Sequence, residues 1–250
     1  MRGVILAAGR GARLNGDRSD MPKCLVTVGG ETLLSRNIRL LRATGVDDIA
    51  IVVGCAAETV RRTCPDVTFV ENPGFAQTNS LYSLWLARPL LMDGFVVMNC
   101  DVLLHPQMLT DLLSARHEDA LLLAYRDAAT SYSDEEMKVR VRCGRVVDMS
   151  KVMAPAEADG ENVGVVKFGA TGARLLVQKM DALIAAGEHK AWVPRAFTAF
   201  AAERPLHAVG TRGYPWTEID FPEDYRRAVE VVLPEIERDL SAAARLRRSA

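Results

Sequence analysis

This sequence has almost no net charge: 31 Lys and Arg stand against 32 Asp and Glu, which leaves −1 at pH 7. A nucleic-acid binder needs a basic face to meet a row of phosphates, so that partner class is not expected. Cysteine is sparse. Cys24, Cys55, Cys64, Cys100 and Cys143 are odd in number and contain no C-x-x-C pair. That argues against a zinc site or a disulfide framework and for a reducing compartment. Long apolar runs are missing too. None approaches the ~20 residues that span a bilayer, and a core strand starts at residue 2 or 3 with no signal segment ahead of it. The expectation is a cytoplasmic protein with no membrane partner. Aromatics are only 6% of the chain, so most of them are needed for the core.

What is present begins at residue 3. The apolar run Gly3-Val4-Ile5-Leu6-Ala7-Ala8 ends abruptly in Gly9-Arg10-Gly11. A strand that runs into a glycine-rich loop lets backbone N–H groups approach an anion unobstructed. Arg10, Arg13 and Lys23 add cations nearby, and together they suit a polyphosphate. The loop is neither of the common phosphate fingerprints: it lacks the GK[ST] ending, and its glycines are not spaced G-x-G-x-x-G.

The first two-thirds of the chain alternate strand and helix. Strands are predicted at 49–53, 67–70, 95–98 and 120–125, with helices at 31–43, 56–63, 79–87 and 105–116. Alternating βα units give a mostly parallel sheet with helices on both faces, and ligands then belong at the carboxyl ends of the strands. After residue 126 the pattern changes to a polar loop and then a hairpin, 137–142 and 145–149, turning at Cys143-Gly144. Lys138, Arg140 and Arg142 share one face of it and read as a solvated surface. A strand at 163–168, helices at 172–186 and 194–203, and a strand at 206–210 follow. A long polar helix, 222–248, is interrupted near Pro234. The expected fold is a single α/β domain, Rossmann-like with a mostly parallel mixed sheet, carrying an insertion around 126–170.

Asp101 follows the apolar strand 95–98, where an unpaired carboxylate is costly. It is either a cap for the next segment or a Mg²⁺ ligand, since Mg²⁺ takes one or two carboxylates plus phosphate oxygens and water. Its best partner is Asp220 in Trp216-Thr217-Glu218-Ile219-Asp220. That stretch alternates, so Trp216, Glu218 and Asp220 share a face. Asp220 also precedes a helix, which leaves an N-cap role open.

The constellation L-A-A-G-x-G-x-R-L, then P-K, then a short strand, resembles the signature of the nucleotidyltransferases that activate phosphorylated sugars and small phosphorylated alcohols. One departure is the polar stretch Asn15-Gly16-Asp17-Arg18-Ser19-Asp20 where that family has P-L-T. A second stretch, Asn72-Pro73 to Asn79-Ser80-Leu81-Tyr82-Ser83-Leu84, resembles the phosphocholine and 2-aminoethylphosphonate cytidylyltransferase branch. The resemblance implies that Leu6, Ala7, Ala8, Gly9, Arg10 and Gly11 wrap a nucleoside triphosphate. It puts Arg13 on the phosphates, Lys23 on the transferred α-phosphate, and Mg²⁺ between Asp101 and Asp220. Gln77, Thr78, Asn79 and Ser80 then face a pyrimidine, which makes CTP the expected donor. On the acceptor side, Lys151 and Gly164 match by order and context, and Glu161, Trp216 and Glu218 complete the expected set. Trp192, Tyr214 and Trp216 would offer an aromatic wall to a quaternary ammonium.

The implied reaction is transfer of CMP to a small phosphate or phosphonate, with release of pyrophosphate. A phosphate monoester is already largely ionised at pH 7, its second pKa being ~6, so no protein base is required. A sugar- or cyclitol-1-phosphate acceptor with another triphosphate is the alternative. A metal-dependent glycosyltransferase is less favoured, because Asp101-Val102-Leu103 lacks the second aspartate of that class. A non-catalytic nucleotide-binding module is the remaining rival. A homodimer is compatible with all of these.

Overall fold

The computed structural model describes residues 1–15, 21–127, 132 and 134–248. The polar stretch 16–20 and most of the predicted loop at 128–133 lie outside the described residues. The strands are β1 (Arg2–Ala7), β2 (Thr27–Val28), β3 (Glu31–Thr32), β4 (Ile49–Val53), β5 (Thr68–Glu71), β6 (Phe95–Asn99), β7 (Val102–Leu104), β8 (Ala120–Tyr125), β9 (Lys138–Arg142), β10 (Arg145–Ser150), β11 (Gly160–Phe168), β12 (His207–Gly210) and β13 (Trp216–Glu218). The helices are α1 (Ala12–Asn15), α2 (Leu33–Ala43), α3 (Ala57–Thr63), α4 (Ser80–Leu86), α5 (Pro106–Ser114), α6 (Ala170–Ala185), α7 (Pro194–Ala201), α8 (Pro222–Arg227) and α9 (Leu233–Arg248).

Among the described residues the main sheet runs β5-β4-β1-β6-β11-β8-β12-β10-β9. Strands β5, β4, β1 and β6 are parallel, while β11 enters antiparallel to β6. Burial explains the near-continuous apolar strands. Val4 and Val52 face a core shared with α4, α6 and α7, whereas Ile5, Ile51 and Val53 face one shared with α2 and α5. Both faces of the sheet are therefore covered, as a parallel sheet requires. A third apolar cluster, including Val28, Leu33, Val232 and Leu233, packs the C-terminal helices onto the β2–β3 region. No helix of the described residues is long and apolar enough to cross a membrane.

The hairpin turns at Cys143 and Gly144, both at positive φ (50° and 73°), the geometry a two-residue hairpin turn favours. It is not a separate lobe. β10 meets β12 at Arg145↔His207, and β9 returns to pair with the first residues of β11. This closure corrects the reading of the alternating cations. Arg140 and Arg142 are exposed, but Lys138 pairs with Glu161 of β11 and is only 1% exposed. A closed edge leaves no solvated face at that position.

The interruption of the last helix falls at a π-helical turn, Ala228–Val232, just before Pro234. Proline cannot donate to the carbonyl four residues back and its ring crowds that turn, so the wider turn relieves both problems.

Candidate active site

A cleft of about 440 Å³ opens at the carboxyl ends of β1 and β6, a size typical of small-molecule sites. Its walls come from distant segments. The glycine loop leaves β1 beside Asn99 of β6, with which Leu6 is in register. Gly11 has φ +64°, and a Cβ there would sit 3.0 Å from the Cβ of Lys23. Glycine is thus required at 11 both by conformation and by the close approach of the lysine.

Lys23 sits in a single 3-10 turn, Lys23–Leu25, closed by Leu25 N–H donating to Pro22 O at 2.9 Å. It is buried, 9% exposed. Its ammonium donates to Asp101 Oδ2 at 2.7 Å and to Asp220 Oδ1. Burial works against that charge, but the two carboxylates outweigh it and hold the lysine pKa well above its ordinary value.

Backbone pairing explains how Asp101 and Asp220 meet. β13 runs antiparallel to β7 with Glu218 opposite Val102, and Ile219 N–H donates to Asp101 O at 3.0 Å. The capping roles left open by the sequence are filled by other residues. His105 caps α5, and Asp224 Oδ2 accepts from the N–H groups of Asp220 and Phe221 at 3.0 and 2.8 Å. Both aspartate side chains are therefore free to face the cleft. Asp101 Oδ1 is buried with no hydrogen-bond partner among the described residues.

Glu218 also lines the cleft, 3.4 Å from Asn99 Nδ2. Burial first, then the charges of Asp101 and Asp220, push its carboxyl up to about 8. Arg13 Nη1 donates to Glu135 Oε2 at 2.7 Å, and its Nη2 lies 3.5 Å from Asp220. Arg10 lies 5.3 Å from the centroid of the Phe75 ring. Lys151 contacts the same Glu135 oxygen at 3.2 Å and lies 5.2 Å from the Trp192 ring centroid.

The Asn72–Leu84 stretch forms the opposite wall. Asn72 is buried and organises it: its Nδ2 donates to Thr78 Oγ1 and Ser83 Oγ, each at 3.0 Å, and its Oδ1 accepts from Gly74 N–H. Thr78, Asn79 and Ser80 line the cleft. Their oxygens already serve the fold: Asn79 Oδ1 caps α4 and Ser80 Oγ accepts from Val193 N–H.

Several expected residues do not reach the cleft. Ala7 is buried and points to the other face of β1, as period two dictates. Gln77 is exposed outside the lining. Trp216 shares a face with Glu218, but two residues along a strand is a step of roughly 7 Å, and it packs against the core near Tyr214. Tyr214 itself stacks on His105 at 4.5 Å. Of the expected aromatic wall only Trp192 lines the cleft. Glu161 stands behind the lining while its neighbour Asn162 is in it. Burial, then the charge of Glu136, pushes Glu161 up to about 7. Gly164, at φ +82°, lines the cleft in a bulge of β11, and a Cβ there would lie 2.8 Å from Asn99 Nδ2.

Asn99, Asn162, Phe75 and Glu135 line the cleft without having been singled out from sequence. Asn99 was within reach, two residues before Asp101 at the end of a buried strand. Glu135 carries no sequence signal, because nothing local distinguishes it from the other acids of its loop.

The arrangement gathers Arg10, Arg13 and Lys23 around a glycine loop, against a floor of Asp101, Glu218 and Asp220, and so suits a polyphosphate. Known proteins agree with it at the level of family and fold. The chain is 33% identical over 239 residues to the bifunctional IPC transferase and DIPP synthase of Rubrobacter xylanophilus, covering 92% of this chain but only about half (51%) of that protein. It is 27% identical to the choline-phosphate cytidylyltransferase of Streptococcus pneumoniae, covering 93% of this chain and 98% of the relative. The structure of the inositol-1-phosphate CTP transferase from T. maritima superposes with a TM-score of 0.76 at 21% identity, over 94% of this chain and 96% of the other. Residues 3–205 match the MobA-like NTP transferase domain, so the chain belongs to that nucleotidyltransferase family.

Proposed function

We propose that the cleft transfers CMP from CTP to a small phosphorylated or phosphonate acceptor, such as phosphocholine or 2-aminoethylphosphonate, and releases pyrophosphate. The observation that carries this reading is the convergence of Lys23, Asp101 and Asp220 beside the glycine loop. The loop amides of Gly9 and Gly11 and the side chains of Arg10 and Arg13 bind the triphosphate. Lys23 neutralises the α-phosphate as charge builds on it, the kind of preorganised electrostatic contribution that dominates phosphoryl chemistry. Lys151 and Gly164 orient the acceptor, and Glu218 faces its polar end.

Asp101 and Asp220, which both accept from the Lys23 ammonium, are the two carboxylates that would hold Mg²⁺, and the buried Asp101 Oδ1, without a hydrogen-bond partner among the described residues, is the hard oxygen acceptor such an ion takes. When bound, Mg²⁺ supplies charge neutralisation at the transferred phosphate. Asp101 and Asp220 would hold it. The chain needs no general base, because the acceptor is already an anion at neutral pH.

A sugar or cyclitol 1-phosphate is the second reading. It is favoured by the dispersal of the expected aromatic wall, since Tyr214 and Trp216 lie outside the cleft lining and leave Trp192, with Phe75 and Phe197, to meet a quaternary ammonium. Pyrophosphate release, measured with four nucleoside triphosphates against phosphocholine, 2-aminoethylphosphonate, inositol 1-phosphate and glucose 1-phosphate, tests both. Turnover of CTP with none of the four acceptors, or no turnover of any triphosphate, overturns the proposal.

A further inference from the structure

The ion pairs at the cleft mouth follow a pattern that the proposed reaction does not require. One carboxylate oxygen, Glu135 Oε2, accepts from Arg13 Nη1 at 2.7 Å and from Lys151 Nζ at 3.2 Å. Arg13 comes from the segment after β1 and Lys151 from the turn after β10, so Glu135 ties together residues from opposite walls. Each cation has a second support. The Arg13 guanidinium lies 5.0 Å from the Phe221 ring centroid, and Lys151 Nζ lies 5.2 Å from that of Trp192. The Glu135 side chain is 47% exposed, so charge rather than packing holds it. Hydrogen bonds from Arg13 and then Lys151 keep its carboxyl below the usual range, so it is ionised at neutral pH. An oxygen shared by two cations in this way stands where a phosphate oxygen would stand between them.

Resting on the nucleotidyl-transfer reading, we infer that Glu135 is a positioning residue: an internal counter-ion that holds Arg13 and Lys151 at the cleft mouth until substrate phosphates displace it. The consequence is competition. Any anion that binds between the two cations must draw them away from Glu135. Removing the charge of Glu135 while keeping its shape therefore strengthens anion binding. A residue that served only to brace the loop would give the opposite sign, because losing it would disorder both cations.

The experiment is isothermal titration of the full chain with inorganic tripolyphosphate, for the parent, Glu135→Gln and Glu135→Ala, alongside CTP turnover. Both variants are expected to bind tripolyphosphate roughly three- to fivefold more tightly at low salt, the scale of one exposed charge pair. The gain should close at ~1 M salt, where charges are screened beyond ~3 Å; a purely structural role would not produce that dependence. Equal or weaker binding by the variants, with the parent turning over CTP, overturns this inference and leaves the nucleotidyl-transfer reading standing. A parent that neither binds tripolyphosphate nor releases pyrophosphate from CTP overturns both. Glu135→Ala serves the test if the glutamine variant fails to fold.

Discussion

Lys23 Nζ lies 2.7 Å from Asp101 Oδ2, although 78 residues separate the two in sequence. The same ammonium donates to Asp220, 197 residues away. A cation thus sits between two carboxylates that would otherwise repel each other in a poorly solvated cleft. This ties catalytic chemistry to stability, because the residue proposed to neutralise a phosphate also neutralises the site when it is empty.

Lys23→Ala is expected to lower kcat by ~10²–10³, the usual cost of losing a preorganised electrostatic contact in the transition state. The fold will also feel it. A buried carboxylate pair without its cation costs about 3–5 kcal/mol, and Lys23 is only 9% exposed. Thermal unfolding in metal-free buffer should show a lowered Tm, with Mg²⁺ restoring part of it. A variant with kcat within about threefold of the parent removes Lys23 from the mechanism.

Asp101→Asn and Asp220→Asn should each raise the Mg²⁺ concentration needed for half-maximal activity and lower the maximal rate. Asparagine keeps the shape and loses the charge that a hard cation prefers. Capping cannot account for an effect at Asp220, since Phe221 is the N-cap of α8 and Asp220 stands one residue before it. Mg²⁺ titrations of pyrophosphate release decide the matter. An unchanged Mg²⁺ requirement in the Asp220 variant would remove it from the metal site.

CTP should be preferred to ATP and GTP by roughly tenfold or more in kcat/KM, because polar groups set to meet one ring are left unpaired by another at ~1–3 kcal/mol each. Of the three candidates that line the cleft, Asn79 is the better probe, because Thr78 Oγ1 and Ser80 Oγ accept from Asn72 Nδ2 and Val193 N–H. Asn79→Ala also removes the α4 cap, at a cost of ~1 kcal/mol, so kcat/KM ratios between triphosphates are the informative measurement. Equal use of a purine triphosphate would exclude the cytidylyl assignment.

Glu161 gives a pH dependence. Its folded-state pKa is raised to about 7 by burial and then by Glu136, above the unfolded carboxylate value of ~4.3. Between those values the folded chain holds a proton that the unfolded chain has lost, so stability falls as pH rises through that window. Glu161→Gln should flatten the decline in Tm between pH ~5 and ~7. Parallel Tm–pH curves for parent and variant would show that Glu161 titrates normally.

Much of this protein is written locally. The apolar strands, the hairpin turn at Cys143-Gly144 and the glycine loop with Pro22-Lys23 are each a matter of period, turn chemistry or motif, and the βα alternation carries the architecture and the edge where the cleft opens. Tertiary structure decided what depends on separation in space. The β7–β13 ladder brought Asp220 to Asp101, because backbone pairing between segments over a hundred residues apart leaves no local trace. Return of β9 to β11 buried Lys138, which alternation alone had put in solvent. Trp216, two residues before Glu218, packs against the core outside the cleft lining, because contact with neighbouring elements rather than alternation decides what a side chain meets. Glu135 came to the mouth only because Arg13 and Lys151 converge there from opposite walls. Periodicity reports which way a side chain points, and only the packed chain reports what it points at.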